Sequence, residues 1–378
     1  MQRGFAPAEF EARTRRAQDM MRSANLDALL LTTEADLRYF TGYLTRFWES
    51  PSRPWFLVVP SDGKPIAVIP SIGAALMGQT WIDDIRTWRA PNLADDGVSL
   101  LTDTLSAFAN IGTPMGYESH LRMPLADWAR VQGGLKTPVG DDKGIVARLR
   151  SVKSAAEIAK IEQACAIAGR AFARVPEIAG QGVPLSRVFR DFQRLCLEEG
   201  ADWVPYLAGG AAEGGYGDVI SPASDAPLAR GDVLMLDTGL VWDGYFSDFD
   251  RNFSLGSPRE ETAAAHARLI DAVDAAADIA RVGSTAAQLF HAMDAIVTGG
   301  AGGSDAGRLG HGLGMQLTEG LSLIPDDHTV LEDGMVITLE PGIDVGDGRI
   351  LVHEEDIVVT ENAPRFLSPR AGREMVQL

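Results

Sequence analysis

Apolar residues recur at helical spacing over 9–24, where Phe10, Ala17, Met20, Met21 and Ala24 fall near one face. The pattern then changes. Residues 27–33 hold Leu29, Leu30 and Leu31 in succession, as in a strand buried on both sides. Residues 55–59 and 65–69 predict two further apolar strands, with Ser61-Asp62-Gly63 as the turn between them. Helix–strand alternation continues through 98–118, so the chain up to residue 145 reads as a mixed α/β domain.

Arg148, Arg150 and Lys153 then cluster, and an Ala-rich helical pattern follows. Ser154 and Glu157 have the spacing of a capping box. A boundary here divides the chain into domains 1–147 and 148–378. Helical periodicity returns at 185–199, 260–281 and 284–297, and apolar strands fill 233–240, 245–253, 335–341 and 349–360. The second domain predicts helices on a largely antiparallel sheet, and the chain as a whole an α+β fold. The glycine run at 299–303 reads as a loop, because no strand-then-helix context frames it as a phosphate loop.

Composition acts mainly by exclusion. Apolar residues make up 46% of 378 and charged residues 23%, an ordinary globular profile. Fifty-two acidic residues against 34 basic ones give a net charge of −18. That field repels phosphate backbones, so neither nucleic acid nor an anionic membrane is an expected partner. No run approaches the ~20 apolar residues of a membrane span. Glu9 and Glu11 near the N-terminus, without an apolar stretch, argue against a signal peptide. Cys165 and Cys196 are too few for a disulfide framework and read as small core residues. The expected compartment is the reducing cytoplasm.

The chemistry concentrates in the second domain. Asp237 ends the apolar run 233–236, where a carboxylate needs compensation. A hairpin turning about Trp242-Asp243-Gly244 would set Asp248 beside it, the plainer alternative being a surface hairpin with scattered acids. Glu340 ends the run 335–339, Glu355 precedes the run 357–359, and their midpoint falls at Asp347-Gly348, a hairpin signal. Four carboxylates in one core repel one another, and divalent cations remove the conflict. His311, in Gly310-His311-Gly312-Leu313-Gly314, is the fifth candidate, because flanking glycines permit close approach. A lone histidine is more often structural, but beside four converging carboxylates the balance reverses. Oxygen ligands with one imidazole suit two divalent ions, manganese first, with iron, cobalt or zinc compatible. Two such ions ~3.5–4 Å apart activate a bridging water and polarise a carbonyl.

In order, these motifs resemble the creatinase and aminopeptidase P family, the "pita-bread" metalloenzymes that include prolidase and methionine aminopeptidase. The resemblance covers the whole chain. It includes Tyr39-Phe40-Thr41-Gly42-Tyr43, Arg150, Lys153, Glu157 and Ile158, Asp237-Thr238-Gly239, and Asp248 with Arg251. It continues through the His311 motif, Leu339-Glu340-Pro341-Gly342 and Glu355-Asp356. It implies a creatinase-type N-terminal α/β domain followed by a pita-bread catalytic domain with a curved sheet. The implied activity is metal-dependent hydrolysis of an amide or peptide bond, Xaa-Pro dipeptidase-like. A metal-bridging hydroxide attacks the carbonyl and Glu340 serves as base. The resemblance also implies a homodimer in which the N-terminal domain helps close the partner's site.

Departures from the family open an alternative. The peptidases carry a histidine upstream of the first metal aspartate, whereas 214–218 here contain none and leave Tyr216 as the substrate-side candidate. A second family histidine, immediately before a glutamate, is replaced by Thr318 before Glu319. His353 stands two positions before Glu355, where arginine is usual, and is a second candidate proton carrier. The substrate is then either a dipeptide or a smaller or differently charged amide-like compound, and in the second case turnover of ordinary Xaa-Pro dipeptides is slow or absent. The second option is a non-peptidase enzyme similar to ectoine hydrolase or a dimethylsulfoniopropionate lyase. Retention of all five ligands argues against a silent binding module. In the loop 46–55, Trp48 is a candidate aromatic cap and Arg53 a candidate carboxylate binder, against the plainer reading of a packed loop. His120, His266, His291 and His328 match no ligand position.

Overall fold

Leu29, Leu30 and Leu31 lie fully buried in a central strand, as their uninterrupted run predicts. The structure, a computed structural model, describes residues 2–50, 54–302 and 307–378 and divides into units 2–150 and 151–378.

In the first unit, β1 (Ala28–Leu31) pairs antiparallel with β2 (Phe56–Pro60) and parallel with β5 (Ile111–Thr113). With β3 (Ile66–Pro70), β4 (Asp84–Trp88) and β6 (Gly140–Asp141) they form a mixed sheet ordered β4-β3-β2-β1-β5-β6. Leu30, Phe56, Val58 and Val68 share a core with Val98, Leu101 and Leu105 of the helix Val98–Leu105. Each such side chain contributes roughly 1.5–3 kcal/mol on burial. The helix Pro7–Ala24 starts with proline in its first turn, where no N–H is needed, and stops at Asn25 in a left-handed conformation.

The second unit opens with the helix Ala155–Ala173, and its Ser154–Glu157 capping box is formed. Its larger sheet contains β7 (Trp203–Glu213), β8 (Asp232–Trp242), β9 (Tyr245–Phe246) and β10 (Phe249–Ser254). A smaller antiparallel system joins β11 (Val336–Leu339), β12 (Gly342–Gly346), β13 (Arg349–Val352) and β14 (Glu355–Val358) in two pairs, β11 with β14 and β12 with β13. Helices Glu260–Ile279 and Ala286–Val297 bury Leu269, Val273, Phe290 and Met293 in one core with Met235, Ile337, Leu351 and Ile357. The architecture is α+β, with open, mixed sheets. Both cysteines are buried and free. Among the described residues no helix is long and apolar enough to cross a membrane.

Two features depart from the apolar pattern. β7 was not expected, because Pro205 and a glycine- and alanine-rich stretch weaken its strand signal. Its long ladder with β8 overrides that local weakness. The three strands expected at 245–253, 335–341 and 349–360 are each interrupted, at 247–248, 340–341 and 353–354. The interruptions contain Asp248, Glu340 and Glu354, side chains that turn into the site.

Candidate metal centre

Asp243 and Gly244, both at positive φ, make the two-residue turn between β8 and β9, with Trp242 opposite Tyr245. Across the resulting ladder Asp237 faces Asp250, and Thr238 faces Phe249. The turn sits one residue later than the expected midpoint, so Asp248 lies level with Gly239, diagonal to Asp237. A two-residue shift of partner keeps both side chains on one face.

The second hairpin changes the set of candidate ligands. Asp347 and Gly348 form its turn at positive φ. Gly346 pairs with Arg349 but Asp344 pairs with Ile350, so Val345 is an extra residue and β12 bulges. Beyond the bulge, Gly342 faces Val352 and Leu339 faces Glu355. Glu340 therefore stands opposite Glu354. Symmetric counting from the turn points to Glu355, but the bulge moves the partner by one residue, and a one-residue slip reverses the face.

Accordingly, ligand atoms of Asp248, His311 and Glu354, all buried, lie within 4.8 Å of one another. His311 Nδ1 donates to Gly312 O at 3.0 Å, leaving Nε2 as an acceptor 3.4 Å from Asp248 Oδ2. Two acceptors facing one another at that distance need a proton or a metal ion between them. The histidine is fixed by its backbone: its N–H donates to Thr338 Oγ1, and the Thr338 N–H donates to its carbonyl. A Cβ on Gly310 would lie 2.2 Å from Thr338 O and one on Gly312 2.0 Å from Glu319 O, so both glycines are required by close approach. Beneath this loop Lys153 Nζ pairs with Glu319 Oε1 at 3.1 Å, and Gln316 N–H donates to Glu319 Oε2.

Asp237, Asp248 and Glu354 carry buried oxygens without a hydrogen-bond partner. Burial, then mutual repulsion, raises all three carboxyls well above the usual range. Burial also raises half-buried Glu340, moderated by His311 and Arg308. Orphaned carboxylate oxygens around an imidazole acceptor suit divalent cations, with no thiolate in the set: Cys165 donates to Asp356, whose carboxylate accepts the Asp248 N–H.

Glu355 and His353 face the other way. Arg251 Nη2 lies 3.1 Å from Glu355 Oε2, and His353 Nε2 3.2 Å from Oε1. Ala371 N–H and Ser368 Oγ also donate to this carboxylate. Against the opposing effect of burial, Arg251 and then His353 hold Glu355 down at about 2. His353, 1% exposed, has its other nitrogen 3.2 Å from Asp250 Oδ1, so both ring nitrogens are engaged away from the cluster. The structure thus corrects two expectations, Glu355 as a ligand and His353 as a proton carrier in the site. Counted from Glu354, the position where the family's arginine stands is Val352.

Tyr216 is 1% exposed, with its hydroxyl bonded to Asn252 Oδ1 and to the Val352 N–H, so it ties strands together instead of lining a substrate face. Thr318 is half-buried and accepts a hydrogen bond from Arg308 Nη2 at 3.0 Å. Trp48 is 3% exposed, packs on Trp55 and carries the Arg122 guanidinium over its ring at 5.0 Å, so that ring face is already covered. Arg53 lies outside the described residues. Sequence reasoning missed Glu354, Arg308 and Tyr206. Arg308 lowers the proton affinity of Asp248 and Glu340, and Tyr206 interacts with Asp237. Only Arg308, three residues before His311, offered a signal.

The chain is similar to known proteins in sequence and in fold. Residues 159–361 match the model of metallopeptidase family M24, and residues 13–152 that of the creatinase/prolidase N-terminal domain. A probable dipeptidase, PepE, of Mycobacterium bovis is 30% identical over 351 residues, 89% of this chain and 88% of the relative. An Xaa-Pro dipeptidase of Pyrococcus horikoshii is 32% identical over 238 residues, 61% of this chain and 66% of the relative. The crystal structure of dipeptidase PepE from Mycobacterium ulcerans superposes with a TM-score of 0.85 at 28% identity, covering 99% of both chains.

Proposed function

The chain belongs to metallopeptidase family M24, and we propose that it hydrolyses Xaa-Pro dipeptides with two divalent metal ions held by Asp237, Asp248, His311, Glu340 and Glu354. The observation that carries this reading is the buried meeting of Asp248, His311 and Glu354 around carboxylate oxygens with no protein partner. When bound, the ions supply Lewis acidity and a water ionised near neutral pH. Manganese is the first candidate, on the oxygen-rich donor set.

The protein's own part is positioning and proton transfer. Glu340, half-buried at the edge of the cluster, accepts the proton of the attacking water on its carboxylate. The water oxygen bonds to the scissile carbon, the C–N bond breaks, and Glu340 returns the proton to the leaving nitrogen. Arg308, held on Thr318, sets a cation beside Asp248 and Glu340, suited to the free carboxylate of a dipeptide. The names of its relatives support dipeptides over the non-peptidase alternative. A cytoplasmic homodimer is part of the same reading, and sedimentation tests the assembly.

The deciding assay is hydrolysis of Ala-Pro and Gly-Pro by chelated, then manganese-reconstituted protein, beside small amides and a sulfonium compound. The expected result is metal-restored dipeptide cleavage, with kcat/KM at or above about 10⁴ M⁻¹s⁻¹. Full metal occupancy with no dipeptide cleavage would overturn the reading.

A further inference from the structure

Thr338 pairs with Asp356 across the β11–β14 ladder, two residues inside the level at which Glu340 stands opposite Glu354. Side chains two residues apart on a strand share a face, so Thr338, Glu340, Glu354 and Asp356 lie on one face of this strand pair. Glu340 and Glu354 are candidate ligands. The other two hold the backbone of two further candidates. Thr338 brackets His311 at its N–H and its carbonyl, and Asp356 Oδ2 accepts the N–H of Asp248 at 3.0 Å. That amide needs an acceptor. Residues 247–248 interrupt the chain between β9 and β10, so it takes no part in the ladder with β8, and a buried N–H left unpaired is costly. The acceptor is fixed from three sides. Cys165, in the middle of the helix Ala155–Ala173, donates its thiol to the same Oδ2 at 3.2 Å. The Asp356 N–H donates to Ser368 Oγ at 3.0 Å, and the Asp356 carbonyl accepts the Leu367 N–H. Asp356 and Cys165 are both fully buried, and Asp356 Oδ1 has no hydrogen-bond partner among the described residues. Burying a carboxylate in this way costs stability, and what its side chain joins is the helix thiol to Asp248.

Resting on the metal-centre reading above, we propose that Asp356, pinned by the Cys165 thiol, is a positioning residue of that centre. Its Oδ2 sets the backbone of Asp248 relative to Glu354, which stands two residues before it in the chain. One strand thereby fixes the spacing of two carboxylates whose ligand atoms, with that of His311, lie within 4.8 Å of one another. Ligand groups must be held within about 0.5 Å of their working geometry by the contacts behind them, and the tie from Asp356 is such a contact. Asp356 itself touches neither metal nor substrate in this role. It acts through Asp248, and what the role requires is an acceptor oxygen at that place.

The test compares wild type with Asp356→Leu, which keeps the branched shape and removes both oxygens, and with Asp356→Asn, which keeps one acceptor. Two quantities are read for each: manganese affinity by titration calorimetry, and the unfolding midpoint of the metal-free protein by circular dichroism. The proposal predicts manganese affinity about 10–100-fold weaker in Asp356→Leu and restored to within about threefold of wild type in Asp356→Asn. The metal-free midpoints of both variants should stay close to that of wild type. Wild-type affinity in Asp356→Leu overturns the proposal, and so does an Asp356→Asn that binds as weakly as Asp356→Leu. A metal-free midpoint that falls in step with affinity makes Asp356 a support of the fold and overturns it as well. Should Asp356→Leu not fold, Cys165→Ala decides, since it releases the carboxylate without removing it. Binding about tenfold weaker in Cys165→Ala and recovered in Cys165→Ser upholds the proposal, and unchanged binding overturns it. A wild type that binds no manganese brings down the metal-centre reading itself, whereas a wild type and an Asp356→Leu that bind equally well bring down the positioning role alone.

Discussion

Lys153→Met removes one partner of a buried ion pair while keeping most of the side-chain stem. Lys153 and Glu319 side chains are 2% and 7% exposed and their charged atoms are 3.1 Å apart. At an effective dielectric of about 20 that separation gives a gross attraction of about 5 kcal/mol, much of it offset by the desolvation of both charges. Removing the ammonium alone leaves Glu319 buried and uncompensated, for an expected loss of about 3–5 kcal/mol. Glu319 also accepts the Gln316 N–H and lies under Gly314, where a Cβ would come within 2.1 Å of its Oε1. The damage therefore falls on the loop that carries His311. Urea unfolding followed by circular dichroism measures the loss, and manganese titration should show weaker binding. Adding Glu319→Gln neutralises the stranded charge and keeps an acceptor for Gln316, so the double variant should be more stable than Lys153→Met alone. A cost below about 1 kcal/mol for Lys153→Met, where breaking a buried pair is expected to be severe, would refute the reasoning. So would a double variant whose loss equals the sum of the two singles.

Gly310 sits at φ +137° with Thr338 O in the path of any Cβ, so Gly310→Ala should weaken manganese binding at least tenfold, an effect worth about 1.4 kcal/mol. Gly116→Ala, which meets open space, should change nothing, and equal behaviour of the two in calorimetry would contradict the steric account. Burial, with a contribution from His353, lowers His266 from 6.5 to about 4. A depressed imidazole stabilises the fold fully above its unfolded value, and that stability is lost as pH falls from 6.5 toward 4. His266→Gln should remove about 3 kcal/mol of acid sensitivity in that window. Parallel stability–pH curves for wild type and variant would show that His266 is not the group responsible.

Much of the site was legible because its residues break a local rule. Asp237 and Glu340 each follow an apolar run, Asp237 in mid-strand and Glu340 just past a strand end, and His311 sits among glycines that nothing in a surface loop demands. The Asp243-Gly244 and Asp347-Gly348 turns were also readable from their dipeptides. The final glutamate was not, because its identity depends on a bulge at Val345. A bulge is fixed by how two strands settle against the rest of the sheet, and no residue type announces it. Glu354 and Glu355 are chemically equivalent as letters, and only register separates the proposed ligand from an ion-pair partner of Arg251. Tyr206 was hidden for a related reason. Its strand has weak intrinsic propensity, so the ladder that aims it at Asp237 exists only in the folded sheet.

The proposed two-metal centre, with Glu354 among its ligands, is tested most directly by anomalous diffraction from manganese-soaked crystals. The account predicts two anomalous peaks among Asp237, Asp248, His311, Glu340 and Glu354, with Glu355 still paired to Arg251 and His353. A single peak, no peak, or a peak ligated by Glu355 in place of Glu354 would contradict it.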